Sequence, residues 1–103
     1  MQDNLSYSVI KGGINNLTKQ LSSYYGKFKI RVNAICPGGV INQEDKKKLK
    51  IQKLCEKNYF KKVPLKRFAR TDEIASTVIF LSSNASSYIT GTLLPVDGGW
   101  TAI

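Results

Sequence analysis

Tyr7 and Lys11 stand four residues apart in the run Tyr7-Ser8-Val9-Ile10-Lys11. On a helix such positions lie one above the other on the same face. A phenol and an ammonium placed this way can share one site. The ammonium favours the ionised phenol and pulls its pKa down from a reference of about 10. A phenol tuned toward working pH can give or take a proton at a carbonyl or alcohol oxygen. A lone Tyr-x-x-x-Lys arises by chance in roughly one chain in five of this length. The plain alternative is an amphipathic tyrosine beside a solvated lysine, so the pair gains weight only from its surroundings.

Other chemistries have less to build on. The 103 residues include no histidine, and the two cysteines, Cys36 and Cys55, form neither a metal spacing nor a disulfide framework. This argues against a zinc site or a His-based triad and for no metal at all. Both cysteines read as small buried hydrophobes, and the expected compartment is a reducing cytoplasm. No apolar run is long enough to span a membrane, and Met1-Gln2-Asp3-Asn4 lacks the basic-then-apolar layout of a secretory signal. The net charge is +9, and residues 43–62 carry +5 of it, with eight lysines against Glu44, Asp45 and Glu56. Such a run can bind nucleic acid through phosphate contacts. Here it reads as the solvated face of a helix, because no aromatic platform interleaves the lysines.

The elements that would position Tyr7 and Lys11 come next. Ile10, Ile14, Leu17 and Leu21 form one apolar stripe and predict a helix over 6–25, with Gly26 placed to end it. Gly12 and Gly13 each cost about 1 kcal/mol against alanine in a helix interior, which suggests close approach of another helix or a ligand. Ile30 to Cys36 reads as a strand covered on both faces, stopped by Pro37-Gly38-Gly39. Ligands of open parallel sheets sit beyond such strand ends, where glycine lets backbone approach a bound group. A plain turn is equally compatible with that tripeptide. Residues 42–62 read as a mobile loop plus a helix, with Leu49, Ile51, Leu54, Tyr59 and Phe60 as an apolar minority, and could act as a lid. Thr71-Asp72-Glu73 opens a further helix, with Thr71 as its cap and Ile74, Val78 and Leu81 as its buried stripe, widened by Ala75 and Ile79. Ser82-Ser83-Asn84 ends it, and a loop from Ser86 to Gly91 leads to a strand at Leu93-Leu94-Pro95-Val96. Asp97-Gly98-Gly99 then turns ahead of Trp100. The alternation predicts an α/β class. Two strands do not make a stable parallel sheet, so the chain reads as one part of a domain.

Taken together, Tyr7-x-x-x-Lys11, Arg31 to Gly39, Pro64-Leu65-Lys66-Arg67-Phe68, Asp72-Glu73-Ile74-Ala75, and Tyr88-Ile89-Thr90-Gly91 with Val96-Asp97-Gly98-Gly99 resemble the C-terminal part of a short-chain dehydrogenase/reductase. The resemblance runs over essentially the whole chain. It implies the C-terminal portion of a Rossmann-like doubly wound parallel sheet, incomplete as a domain, with NAD or NADP as cofactor and a small carbonyl or alcohol compound as substrate. It implies that Tyr7 is the catalytic acid/base and that Lys11 holds the nicotinamide ribose. Pro37, Gly38, Gly39 and Val40 would line the nicotinamide end of the cofactor. Asn42 stands nearest the position where the family often has a cofactor-contacting threonine. Residues 42–62 would form the substrate loop. The 6–25 helix would join subunits of a homo-oligomer, giving Gly12 and Gly13 a packing role, and Gly98-Gly99 would sit at a second interface. The family's glycine-rich dinucleotide turn, the residue that sorts NAD from NADP, the active-site asparagine and the catalytic serine all lie upstream of the matched motifs. Ser6 is in the wrong place to be that serine. The isolated chain is therefore expected to be inactive. The competing expectation is a non-enzymatic chain that associates with relatives through the 6–25 helix.

Overall fold

The computed structural model describes residues 5–42, 44 and 46–102, with the backbone alone described at 46–49, 51, 52 and 55. The packing expected of Cys55 therefore lies outside the described residues.

Helix α1 spans Leu5–Tyr25, as the apolar spacing predicts. Most of its stripe stays open, Ile10 being 60% exposed and Leu17 54%, while Leu21 is half-buried. Gly26 does not supply the left-handed residue at its end. A short 3-10 turn follows over Gly26–Phe28, and Lys29, at φ 60°, closes it by donating its N–H to the Gly26 carbonyl at 2.9 Å. A Cβ added at Gly12 or Gly13 would meet no atom within 4 Å, so nothing in the described chain explains the pair. Gly12→Ala is expected to stabilise the chain by about 1 kcal/mol in chemical denaturation. A loss of stability instead would reveal a neighbour seated on that face.

Strand β1 covers Ala34–Pro37, not Ile30 to Cys36. Residues 31–33 are diverted from the ladder because their polar groups bind a loop. The Val32 N–H donates to Thr90 Oγ1 at 3.1 Å, and the Val32 carbonyl accepts the Gly91 N–H at 2.7 Å. Strand β1 pairs in parallel with a second strand, Leu93–Val96, in the register Ala34↔Leu93 to Pro37↔Val96. A further parallel ladder joins Val40–Ile41, here β2, to Ala69–Arg70, here β3; Leu93–Val96 is β4. Two-residue strands are too short to show a period, so only their pairing reveals them.

Between β2 and β3 runs α2, Lys46–Lys62, one helix through most of the segment read as loop plus helix. Lys66 ends it. Its ammonium donates to the Phe60 carbonyl at 2.9 Å, where a cation offsets the negative end of the helix dipole. Helix α3 spans Thr71–Ser82. Thr71 is its first residue rather than its cap. The cap position is Arg70, already extended because it pairs with Ile41 in β3, and the Arg70 N–H is taken by Glu73 Oε2 at 2.8 Å. Of the expected stripe, Leu81 is buried and Ile74 half-buried, whereas Val78, Ala75 and Ile79 face outward.

Among the described residues the buried apolar side chains are Val63, fully enclosed, and Leu81. The radius of gyration is 16.0 Å, against about 13 Å for a compact domain of this length. The elements are those of a parallel α/β sheet, and its strands are only half-buried.

Candidate active site

Tyr7 and Lys11 lie in the first half of α1, on one face because the helix runs unbroken from Leu5. The Lys11 ammonium sits 5.4 Å from the centroid of the Tyr7 ring, and the ring is 60% exposed. The pair predicted from spacing is thus formed, and it is presented outward.

The Pro37–Val40 turn is tied on three sides. The Gly38 N–H donates to the Val96 carbonyl at 3.0 Å and the Ala69 N–H to the Gly39 carbonyl at 2.9 Å. The Gly39 N–H donates to the Tyr59 hydroxyl at 2.6 Å. A cavity of about 460 Å³ opens beside Pro37 and Gly38, with Asn15, Cys36, Tyr59 and Trp100 among its walls. Its size suits a small-molecule site. Asn15 reaches it from α1, one helical turn beyond Lys11; Tyr7 and Lys11 do not line it. The structure therefore brings Pro37 and Gly38 to a cavity. It places Gly39 beneath aromatic rings and Val40 in the β2–β3 ladder. Cys36 is half-buried at this wall, more open than the filler it was expected to be.

Neighbouring protein atoms leave no room for a side chain at either glycine of the turn. A Cβ on Gly38 would come to 2.9 Å from Asp97 Cα, and one on Gly39 to 2.6 Å from Phe68 Cδ1 and 2.7 Å from Tyr59 Cζ. Tyr59 was visible in the sequence only as part of an apolar minority among lysines. Asn42, the nearest stand-in for the family's threonine, is exposed and accepts the Glu44 N–H at 3.2 Å.

Two other motifs prove to be clamps. Asn33 Nδ2 donates to the Ile89 carbonyl at 2.9 Å while Asn33 Oδ1 accepts the Thr92 N–H at 3.1 Å. Arg31 adds bonds to the carbonyls of Ile89 at 3.1 Å and Ser83 at 3.2 Å. The Arg31-Val32-Asn33 and Ile89-Thr90-Gly91 stretches hold each other and so set the start of the β1–β4 ladder. Asp97 accepts from the Thr101 hydroxyl at 2.8 Å and from the N–H groups of Gly99 and Thr101, both at 3.0 Å. The Thr101 hydroxyl first, then these N–H groups, hold its carboxyl below the usual range. Asp97 is thereby an acceptor that shapes the turn. Among the described residues no cluster of His, Cys, Asp and Glu could hold a metal ion.

A second cavity, about 600 Å³, lies between Pro64-Leu65, Glu73 and Asp97–Gly99. At its edge Arg67 grips Glu73 with two bonds of 2.8 and 2.7 Å. These bonds, with the Arg70 N–H next, bring the Glu73 carboxyl down to about 2. A folded pKa below the unfolded one gives stability that is present above the unfolded value of about 4.3 and lost as pH falls toward the folded one. The denaturation midpoint of Glu73→Gln is expected to fall below that of the native chain at pH 6, with the two converging between pH ~4.3 and ~2. A gap constant across that range would separate the stabilisation from the Glu73 charge.

A sequence model of the family described as enoyl-(acyl carrier protein) reductase matches residues 1–101. Glucose 1-dehydrogenase 2 of Bacillus subtilis is 42% identical over 101 residues, covering 95% of this chain and 37% of that protein. A crystal structure of a short chain dehydrogenase family protein from Francisella tularensis superposes with a TM-score of 0.80 at 41% identity, covering 94% of this chain and 43% of that one. A crystal structure from Agrobacterium tumefaciens with NADP bound gives a TM-score of 0.84 at 36% identity over 95% of this chain and 39% of that one. The chain thus spans well under half the length of the relatives it matches, and its parallel α/β elements are those of the C-terminal portion of their Rossmann-like sheet. On the match of motif, sequence and fold, the chain belongs to the short-chain dehydrogenase/reductase family.

Proposed function

We propose that these residues form the proton-transfer half of an NAD(P)-dependent oxidoreductase acting on a small carbonyl or alcohol compound. The observation that carries this reading is the Tyr7–Lys11 pair: an exposed phenol on a rigid helix with an ammonium 5.4 Å from its ring. The bound cofactor would supply or accept the hydride at the substrate carbon. Tyr7 gives its phenolic proton to the carbonyl oxygen in reduction and takes it back in oxidation. Lys11 holds the ribose and keeps positive charge near the phenol. Pro37 and Gly38, at the wall of the 460 Å³ cavity, with Gly39 and Val40 beside them, would receive the nicotinamide end. The cavity is large enough for that ring, and the similar structure with NADP bound supports the cofactor class. Residues 42–62, mostly α2, form the substrate loop.

Two preparations test this. The 103-residue chain alone is expected to bind NAD(P)H weakly or not at all and to show no turnover. Joined behind the N-terminal portion of the Bacillus relative, it is expected to bind NAD(P)H and oxidise it with carbonyl compounds. Robust NAD(P)H oxidation by the isolated chain, or no cofactor binding by the joined form, would sink the proposal.

A second reading is favoured by the outward stripe Ile10, Ile14 and Leu17: a chain that associates through α1 with its own kind or with longer relatives, forming a homo-oligomer without catalysis. Exposed apolar patches of this sort mark association surfaces. Size-exclusion chromatography showing a monomer at all concentrations would count against it. No described helix is long and apolar enough to cross a membrane.

A further inference from the structure

Tyr59 stands where α2 meets the Pro37–Val40 turn, and three observations converge on it. Its hydroxyl accepts the Gly39 N–H at 2.6 Å. Its ring stacks on Phe68, at 4.6 Å and 20° between planes, and on Trp100, at 5.3 Å and 30°. The space that a Cβ at Gly39 would need is filled by the Tyr59 ring and Phe68, so glycine at 39 is what lets them in. Phe68 immediately precedes β3, and Trp100 follows the Asp97–Gly99 turn. Tyr59 also belongs to the walls of both cavities, the 460 Å³ space beside Pro37 and the 600 Å³ space beside Glu73. With Pro95 and Asp97, which line both as well, it forms the partition between them.

We infer that Tyr59 is a positioning residue: it fixes the orientation of the Gly38–Gly39 peptide and makes α2 and the Pro37–Val40 turn move as one body. The stacked rings hold the phenol in place, and the hydroxyl holds the peptide. Packing alone would position α2 but would leave the Gly39 N–H without an acceptor among the described residues, free to rotate away from the cavity wall. In the function proposed above, on which the consequence for binding rests, the substrate segment and the nicotinamide-facing turn are then coupled through one side chain. A change at position 59, on the substrate side, alters cofactor affinity.

Tyr59→Phe separates the two roles, because it keeps the ring and removes the acceptor. Hydrogen exchange of individual amides is measured by NMR in whichever preparation protects the Ala34 amide, the 103-residue chain or the joined form. Ala34 donates to the Thr92 carbonyl and serves as the internal reference. Loss of one hydrogen bond predicts exchange at Gly39 faster by about two- to tenfold relative to Ala34. Equal changes at both amides, or none at Gly39, would overturn the assignment. In the joined form, Tyr59→Phe is expected to raise KM for the dinucleotide several-fold with kcat within about twofold, and Tyr59→Leu, which also loses the stack, to raise KM further. A fall in kcat at unchanged KM would refute the coupling. The exchange result needs no cofactor, so it decides the role of Tyr59 even if the joined form binds no dinucleotide.

Discussion

Replacing Tyr7 by phenylalanine in the joined form is expected to lower kcat by about 10²–10⁴-fold, the usual worth of a positioned general acid or base. Cofactor affinity should stay within about twofold, because the change removes one oxygen and keeps the ring. The Lys11 ammonium lies over that ring, 5.4 Å from its centroid, so the cation keeps its neighbour in the variant and the helix face is not disturbed. The loss therefore has to appear in the chemical step rather than in binding. Stopped-flow measurement of NAD(P)H oxidation under saturating conditions, with dinucleotide titration by fluorescence alongside, gives both numbers. Turnover within threefold of the native value would take the proton transfer away from Tyr7. A parallel collapse of cofactor binding would make Tyr7 a binding group instead.

The largest structural effect is expected at Gly99. Its φ is +93°, and an added Cβ would stand 2.8 Å from Pro64 Cγ and 3.1 Å from Pro64 Cβ. A side chain at such a φ costs on the order of 1–3 kcal/mol. The proline ring, with its φ locked, cannot swing aside as a flexible side chain would. Overpacking adds about 1–3 kcal/mol. Gly99→Ala is therefore expected to destabilise by about 2–6 kcal/mol in urea unfolding. Against a total of about 5–15 kcal/mol for a domain, that removes much of the folded population. The same substitution at Gly12, in open space at helical geometry, carries the opposite sign. An unchanged midpoint for Gly99→Ala would mean that the Asp97–Gly99 turn and the Pro64 loop are not packed as described.

The contrast between these glycines shows what the sequence could and could not tell. Gly98 and Gly99 followed a strand and an aspartate, and that local grammar marked a turn whether or not its neighbours were known. Gly12 and Gly13 sat inside a helical stripe, and their meaning depends on what lies across from them, which the described residues do not contain. Helices were legible wherever apolar spacing was long enough: α1 and α3 fell within a residue of expectation. The two-residue strands β2 and β3 carried no period and were missed. The Ile30 to Cys36 stretch was read as a strand, and only Ala34 to Cys36 of it joins one. Its first part, however, spends its hydrogen bonds on the Ile89–Thr92 loop, a contact set by Arg31 and Asn33 side chains and invisible to alternation. The pairing of Tyr7 with Lys11 was legible because the two are one helical turn apart. Tyr59 was not, because its partner, Gly39, is twenty residues away and offers only a backbone N–H.

Every strand pairing in the described chain is parallel and non-local: Ala34 with Leu93, Val40 with Ala69. Before the β1–β4 ladder can form, the chain must close a loop holding β2, α2, β3 and α3, at an entropic cost of about 3–4 kcal/mol. Nothing local rewards that closure until Asn33 has found the Ile89 carbonyl. Refolding should therefore be limited by this long-range search, with helices α1 and α3 formed early and the sheet late. During that interval the apolar edges of unpaired strands and the outward stripe of α1 are open to other chains. Dilution during refolding, rather than a change of temperature or salt, is then the variable that decides how much chain is recovered.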